Sequence, residues 1–383
     1  MVAKSMSDMG QRSPEIVFLV SDYFPARGGT TTQTKLHAQE FLRRGWSVTV
    51  LTRRVRQSRS QETIDGVTVR RVALPGRGRV AKGLDLLASW LWLAKRRRTL
   101  SAVSIMMDAD FALAARAAGL GSSEVLTWVT RGDATRLLSG PAGRLRIRLL
   151  AACKQVVLTP RMKDELGQLG VDDVSIIPVP VDMERFREPL ESEKASARQL
   201  LGLPDGSIVL FVGHLQERKG VDLLIQAFRL VLDVVPTAQL VLVGGAVEAA
   251  DHEYVRMLKQ SVIDSGIGEA VHFSGAQDDV APFMFSADIF CLASHREGMP
   301  NVLLEAMACG LPCVAPASAG GDELLFDSAG VIPPSNSPAD LANALIPLLA
   351  DEESRRTLGA AGLARVRARN QPTEVADAYE RLL

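Results

Sequence analysis

Cysteine is scarce, with four residues (Cys153, Cys291, Cys309, Cys313) in a chain of 383. That is too few for a disulfide scaffold and fits a reducing, cytoplasmic setting. Aromatic residues make up only 5%. They are not interleaved with basic residues in a stacking pattern, which argues against nucleic acid as a partner. The five histidines are scattered, and Cys309-x3-Cys313 straddles a Gly-Leu-Pro turn without further ligands. No metal site is expected from these residues. No apolar run reaches the ~18–20 residues needed to span a bilayer. Met1–Ser13 is polar, lacks the apolar core of a secretory signal and is expected to be a flexible tail (residues 1–13).

Apolar residues are plentiful at 47%, and 383 residues exceed one ordinary domain, so two packed cores are expected. The formal net charge is zero, but it is unevenly spread. Residues 1–185 hold 29 Lys and Arg against 17 Asp and Glu, leaving 15 against 27 in the rest. A basic half joined to an acidic half suggests different partners for each; solvated faces alone would also explain it.

The chain alternates strand and helix patterns. Ile16–Val20 is an apolar run followed by Gly28-Gly29, a helical stretch at Thr32–Arg44, and a second run at Trp46–Leu51. Such a strand–helix–strand unit pairs in parallel. Further runs at Val67–Val72, Ala102–Met106, Val125–Val129, Val156–Leu158 and Val174–Ile177 continue the series. The character changes around Phe186–Gly206, which is charged, rich in small residues and ends in Leu-Pro-Asp-Gly. A linker is placed there, over 187–206, between domains at 14–186 and 207–370. The second series begins at Ile208–Val212 and runs to Pro312–Ala315, after which Pro338–Leu383 is all helical. A break at Gln371-Pro372 sets off a final helix, 371–383, expected to pack back on the first domain. The fold class is therefore α/β, with parallel sheets covered on both faces and a helical C-terminal extension. Ligands of such sheets bind beyond the carboxyl ends of the strands, here in a cleft between the two halves.

The most informative segment follows strand Ile289–Leu292: Ser294-His295-Arg296-Glu297-Gly298-Met299-Pro300-Asn301, then a helix carrying Glu305. A helix N-terminus offers unpaired N–H groups suited to a diphosphate, and Gly298 permits close approach of backbone. Carboxylates beside it would not attract phosphate; they suit hydroxyls, which donate to them. Phosphates flanked by hydroxylated rings describe a nucleotide sugar. Taken alone, the pair reads more readily as Glu297 capping the helix and Glu305 facing solvent.

The pattern Glu297-Gly298-x-Pro300-x4-Glu305-Ala306-Met307-Ala308-Cys309-Gly310-x-Pro312 resembles the signature of retaining GT-B glycosyltransferases of family four. Further ordered segments resemble the same family: Val212-Gly213-His214-Leu215 with Arg218-Lys219-Gly220, Tyr23-Phe24-Pro25 with Gly28-Gly29, Ile176-Ile177-Pro178 through Val181-Asp182 and Phe186, and Ala319-Gly320-Gly321-Asp322-Glu323. The resemblance covers nearly the whole chain. It implies two Rossmann-like domains facing across a cleft, and a donor bound to the second. It implies that Glu297 holds donor-sugar hydroxyls near the reacting carbon and Glu305 the ribose hydroxyls. Lys219, with Arg218 and His214, would neutralise the diphosphate as it leaves. Gly298, Met299, Pro300 and Asn301 would line the donor, and Gly28 and Gly29 would bring backbone to phosphate, sugar or acceptor. No metal or other cofactor is implied. The family usually carries Arg where His214 stands, and His near the position of Arg131 in Thr130-Arg131-Gly132-Asp133. Arg131 would clamp an anionic acceptor or a donor phosphate, and Asp133 an acceptor hydroxyl; a loop ion pair would also account for both. Pro178-Val179-Pro180-Val181-Asp182 lacks the Asn-Gly common before Val-Asp in relatives.

The acceptor is expected on the basic domain. Leu84–Arg98 places Leu84, Leu87, Leu91 and Ala94 on one helical face beside Trp90 and Trp92, and ends in Lys-Arg-Arg-Arg. That pattern suits either packing on the sheet or an anionic membrane surface. The expected function is retaining transfer of a hexose from a UDP-, GDP- or ADP-sugar to a hydroxyl of a lipid-linked or surface glycan, in the cytoplasm or at the inner membrane face. Rivals are a nucleotide-sugar epimerase or hydrolase, and a non-catalytic binding scaffold.

Overall fold

The apolar runs of the first half become strands because each is covered on both faces, so consecutive residues can all be buried. The structure is a computed structural model and describes residues 13–26, 28–54, 58–72, 79–106, 108, 110–121, 124–129, 143, 147–148 and 151–383. They divide into two units. The first runs to Pro180 and takes in Pro372–Leu383, and the second is Val181–Gln371.

In the first unit the chain runs β1 (Glu15–Val20), α1 (Gly29–Arg43), β2 (Ser47–Arg53), β3 (Gln61–Ile64), β4 (Val67–Val72), α2 (Arg79–Arg96), β5 (Ala102–Met106), α3 (Asp110–Ala117), β6 (Val125–Val129), β7 (Lys154–Val157), α4 (Pro160–Gly167) and β8 (Val174–Ile176). The strands order as β3-β4-β2-β1-β5-β6-β7-β8. All pairs are parallel except the β3–β4 hairpin. That hairpin turns on Asp65-Gly66, both at positive φ, as a two-residue turn between right-twisted strands demands. Helix α1 buries Thr31, Thr34, His37, Ala38 and Phe41 at helical spacing. Helix α2 begins earlier than the expected Leu84. Its Leu93 is fully buried, with Leu86, Trp90, Trp92 and Ala94 packed on the same cluster. Ala94, expected on one face with Leu84, Leu87 and Leu91, packs inward, whereas those three leucines are exposed.

Residues 187–206, expected to be a linker, instead carry α5 (Glu191–Leu201), which belongs to the second unit. Its charged residues are anchored. Asp288 accepts from Lys194 Nζ at 2.6 Å, Arg198 Nη2 at 2.7 Å and the Ile208 N–H at 2.7 Å. Burial alone would raise the Asp288 pKa; Lys194, the Ile208 N–H and Arg198 outweigh it and hold the carboxyl below its usual range. The chain continues through β9 (Ile208–Val212), α6 (Val221–Leu232), β10 (Gln239–Val243), α7 (Ala249–Asp264), β11 (Val271–Gly275), α8 (Ala281–Ser286), β12 (Ile289–Cys291), α9 (Asn301–Ala308), β13 (Cys313–Val314), α10 (Gly321–Leu324), α11 (Pro338–Ala350) and α12 (Glu352–Arg369). Its parallel sheet orders as β11-β10-β9-β12-β13.

The last helix, α13 (Pro372–Glu380), belongs to the first unit. Tyr379 is fully buried against Phe18, His37 and Phe41, and its hydroxyl donates to Ser104 Oγ. Arg44 donates to Asp377 at 2.6 Å and Glu380 at 2.8 Å, and Trp46 Nε1 donates to Glu380 at 2.9 Å. Burial pushes the neighbouring His37 down to about 3, so it packs as a neutral ring. Among the described residues no helix is long and apolar enough to cross a membrane.

Candidate functional site

In the second unit the loops after β9, β10 and β12 converge because glycines let their backbones touch. A Cβ on Gly244 would fall 1.8 Å from the Gly213 carbonyl oxygen, and one on Gly220 2.2 Å from that of Ala293. No side chain could be tolerated at either contact. The Gly213 N–H donates to Val243, and the His295 N–H to Arg218 O at 3.0 Å. After β9 the chain makes a single 3₁₀ turn, Glu217–Lys219, and α6 starts behind Gly220.

This convergence brings Glu297 to Lys219. Glu297 Oε1 accepts from Lys219 Nζ at 2.5 Å and from Ser294 Oγ at 2.9 Å, while Oε2 accepts from Arg218 Nη1 at 3.1 Å. The Glu297 and Lys219 side chains are only 10% and 14% exposed, against 50% for Arg218. The Glu297 N–H donates to Ser318 O, and Ser318 Oγ donates to Ser294 O. The 316–321 turn is thereby laced to the loop carrying Glu297. It also packs against it directly, since a Cβ on Gly320 would meet the Pro300 ring at 2.8 Å. Glu297 does not cap α9: Pro300 is the residue before the helix, and no side chain caps it. Gly298 and Met299 lie half-buried between Glu297 and that helix start, and Asn301 is its first residue.

Glu305 sits one turn into α9 and is half-buried rather than on a solvated face. Burial pushes its carboxyl up to about 7; Arg185 opposes that shift and Asp182 adds to it. His214 follows Gly213 on the β9 loop. Desolvation and Lys219 lower its pKa, Asp251 opposes, and Arg218 lowers it further, so the ring is neutral. The same loop is tied to the start of α7 by Gln216 Nε2, which donates to Asp251 at 3.0 Å.

In the first unit Gly28 stands immediately before α1, with open space where a side chain would be, and Gly29 is the first helical residue. Arg131 and Asp133 lie outside the described residues. The carboxyl ends of β1, β2 and β5 carry a charged group not anticipated from sequence. Arg53 donates to Asp22 at 2.5 Å, Lys82 donates to Asp108 at 3.2 Å and also pairs with Asp110, and Ser21 Oγ donates to Asp108. Ser294 and Ser318 were also missed. The one available signal was a small hydroxyl residue at a strand's carboxyl end, three positions before Glu297. All four cysteines are buried and reduced, and burial pushes Cys153 up to about 11 and Cys291 to about 12. Among the described residues no group of three His, Cys, Asp or Glu side chains is placed to hold a metal ion.

Two family models match the chain: "Glycosyl transferases group 1" over residues 193–365 and "Glycosyl transferase 4-like domain" over residues 28–182. The D-inositol 3-phosphate glycosyltransferase of Xylanimonas cellulosilytica is 32% identical over 233 residues, 57% of this chain and 55% of that protein. The match therefore spans about half of that relative's length. The protein of the same name from Saccharomonospora viridis is 29% identical over 370 residues, covering 86% of this chain and 83% of that one. The crystal structure of Anabaena HepE in complex with UDP and glucose superposes with a TM-score of 0.77 at 19% identity, over 96% of this chain and 98% of that one. This last likeness is one of fold, and the fold is GT-B, with two parallel-sheet α/β domains and a helical C-terminus. The chain belongs to the group 1 glycosyltransferases of the family-four type.

Proposed function

We propose that this protein transfers a hexose, with retention of anomeric configuration, from a nucleotide-diphosphate sugar to a hydroxyl acceptor. The observation that carries the reading is the Lys219–Glu297–Arg218 cluster at the carboxyl ends of β9 and β12. Two cations stand beside the starts of α6 and α9, neither of which takes a side-chain bond from its N-cap residue; backbone N–H groups there favour a diphosphate, although at α6 the Asp222 N–H already donates to Tyr254 Oη at 3.2 Å. As the bond between the sugar and the diphosphate breaks, negative charge grows on the leaving oxygens. Lys219 and Arg218 offset it from fixed positions, with little reorganisation at that moment. Glu297, already in the cluster, accepts hydroxyls of the sugar, and Glu305 accepts those of the ribose. Gly28, Gly29, Arg131 and Asp133 are assigned to the acceptor and the far side of the donor. The reaction needs no metal or other cofactor.

The matched relatives named as D-inositol 3-phosphate glycosyltransferases make a phosphorylated polyol one probe of the acceptor. A lipid-linked or surface glycan at the inner face of the cell membrane is the acceptor favoured by the basic first unit. The decisive experiment incubates UDP-, GDP- and ADP-hexoses with an acceptor panel containing both classes and identifies the product anomer by NMR. Transfer with inversion would refute retention, loss of activity in EDTA would refute metal independence, and sugar release indifferent to acceptor would indicate a hydrolase. A thermal-shift screen finds the base first, since a ligand at ~100 times its dissociation constant adds about 2.7 kcal/mol. Donor binding without turnover on any acceptor would leave a binding scaffold.

A further inference from the structure

Helix α2 has two apolar faces, and among the described residues one packs on the core while the other is exposed. Leu93 is buried, and Leu86, Trp90 and Trp92 pack against the core. On the other side Val80 is 79% exposed, Leu84 43%, Leu87 50% and Leu91 46%. Helical steps of about 100° put these four within an arc of about 60°, as a row about 16 Å long. Single exposed leucines are ordinary; a continuous row is a contact surface. No acidic residue lies on this face of α2, since the helix's one carboxylate, Asp85, is buried on the inner side. The row ends at Lys95, followed by Arg96, Arg97 and Arg98, all exposed. Arg96 is held over the Trp92 ring at 5.0 Å and against Glu15 at 2.9 Å. Lys95, four residues after Leu91, continues the outward row, and Arg98 stands exposed in the turn just past the helix end.

We infer that α2 is a docking element for an anionic lipid surface, lying in the membrane plane with Val80, Leu84, Leu87 and Leu91 in the acyl boundary and Lys95 and Arg98 among anionic headgroups. Charge decides the occupant: an apolar row closed by a cationic end complements an anionic bilayer. A second copy of the same face would set the cationic ends near one another in a parallel pairing. The inference deepens the lipid-linked acceptor proposed above and rests on that reading only for what the docked protein does. Docking itself is measured without donor or acceptor.

The test is co-sedimentation of the full chain with vesicles of phosphatidylcholine alone and of phosphatidylcholine with about one-third phosphatidylglycerol. Binding is expected on the anionic vesicles only, weakening as salt is raised. Leu87→Ser with Leu91→Ser should weaken it about ten-fold, and Lys95→Ala and Arg98→Ala about five-fold each. These side chains are exposed, so circular dichroism and melting temperature should match the parent. Three results would overturn the inference: no binding to anionic vesicles, binding untouched by the leucine changes, or a dimer in sedimentation velocity that the leucine changes dissociate.

Discussion

Glu297 and Glu305 belong to one strand–loop–helix segment, yet their carboxylates are held in different ways. Glu297 is already engaged, with Oε1 accepting from Lys219 and Ser294 and Oε2 from Arg218, which leaves Oε2 one further position for a hydroxyl. Glu305 has a desolvated carboxyl with no cation bonded to it, and burial raises its pKa to about 7. The first is an ion cluster built to hold charge in place. The second is an acceptor whose hydrogen-bonding capacity is still open, in surroundings that make an unmet acceptor costly. Under the proposed function, Glu297 matters through the charges it organises as well as the sugar hydroxyl it accepts, and Glu305 through the ribose hydroxyls alone. The two should respond differently to mutation, and Glu305 should also be legible through pH.

The largest effect should come from breaking the cluster. Lys219→Met removes a mostly buried cation and leaves Glu297 only Arg218, half-exposed, and Ser294. We expect kcat to fall about 10²–10³-fold and stability to fall by about 2–3 kcal/mol, because a desolvated carboxylate loses its nearest partner. Glu297→Gln in the Lys219→Met background removes that under-paired charge, so urea denaturation should recover most of that stability. Activity should stay lost. A double variant that regains turnover would erase the distinction, since Lys219 would then serve only to neutralise Glu297.

Glu305 should instead be read through pH. Its folded pKa of about 7 lies above the ordinary glutamate value, so the folded state binds more protons than the unfolded chain between those values. Stability from this group is fully present below the unfolded pKa and is lost as pH rises through about 7, amounting to about 2–3 kcal/mol. Glu305→Gln should flatten that slope when urea midpoints are compared between acid and neutral pH. Donor binding should run the other way. Ribose hydroxyls donate best to the ionised carboxylate, so calorimetric affinity should rise from pH 6 to pH 8 in the parent and not in Glu305→Gln. A parent affinity indifferent to pH would sever Glu305 from the ribose.

Much of this arrangement was legible in the chain. β9 falls on Ile208–Val212 as expected, because a strand covered on both faces is a continuous apolar run bounded by polar residues. The placement of Glu305 one turn inside a helix followed from the same logic. What was hidden depended on partners distant in sequence. The charged residues of α5 look like linker until Asp288, about ninety positions away, is seen to bind them. β3 is a short polar edge with little apolar signal. Ser294 and Ser318 carry no pattern, and their role exists only once two loops meet. In α2 periodicity revealed an apolar face but could not say which face points inward, since the helix is apolar on both.

The smallest test concerns His214, which shares the β9 loop with the cluster but contributes no charge to it. Desolvation lowers its pKa most, and Lys219 and Arg218 add to that against Asp251, so the ring stays neutral. An arginine at this position, as the family usually carries, would be charged regardless of those neighbours. Because His214 is exposed, solvent screens the gain, and about 0.5–1 kcal/mol is expected from one added cation near a diphosphate. His214→Arg should therefore lower the Kd for a nucleoside diphosphate two- to five-fold in calorimetry at low salt, with the advantage shrinking as salt is added. Affinity for the nucleoside alone should not change, because the phosphate is what the new charge meets. An equal gain for both ligands would place His214 against the base or ribose, on the Glu305 side of the comparison rather than the Glu297 side.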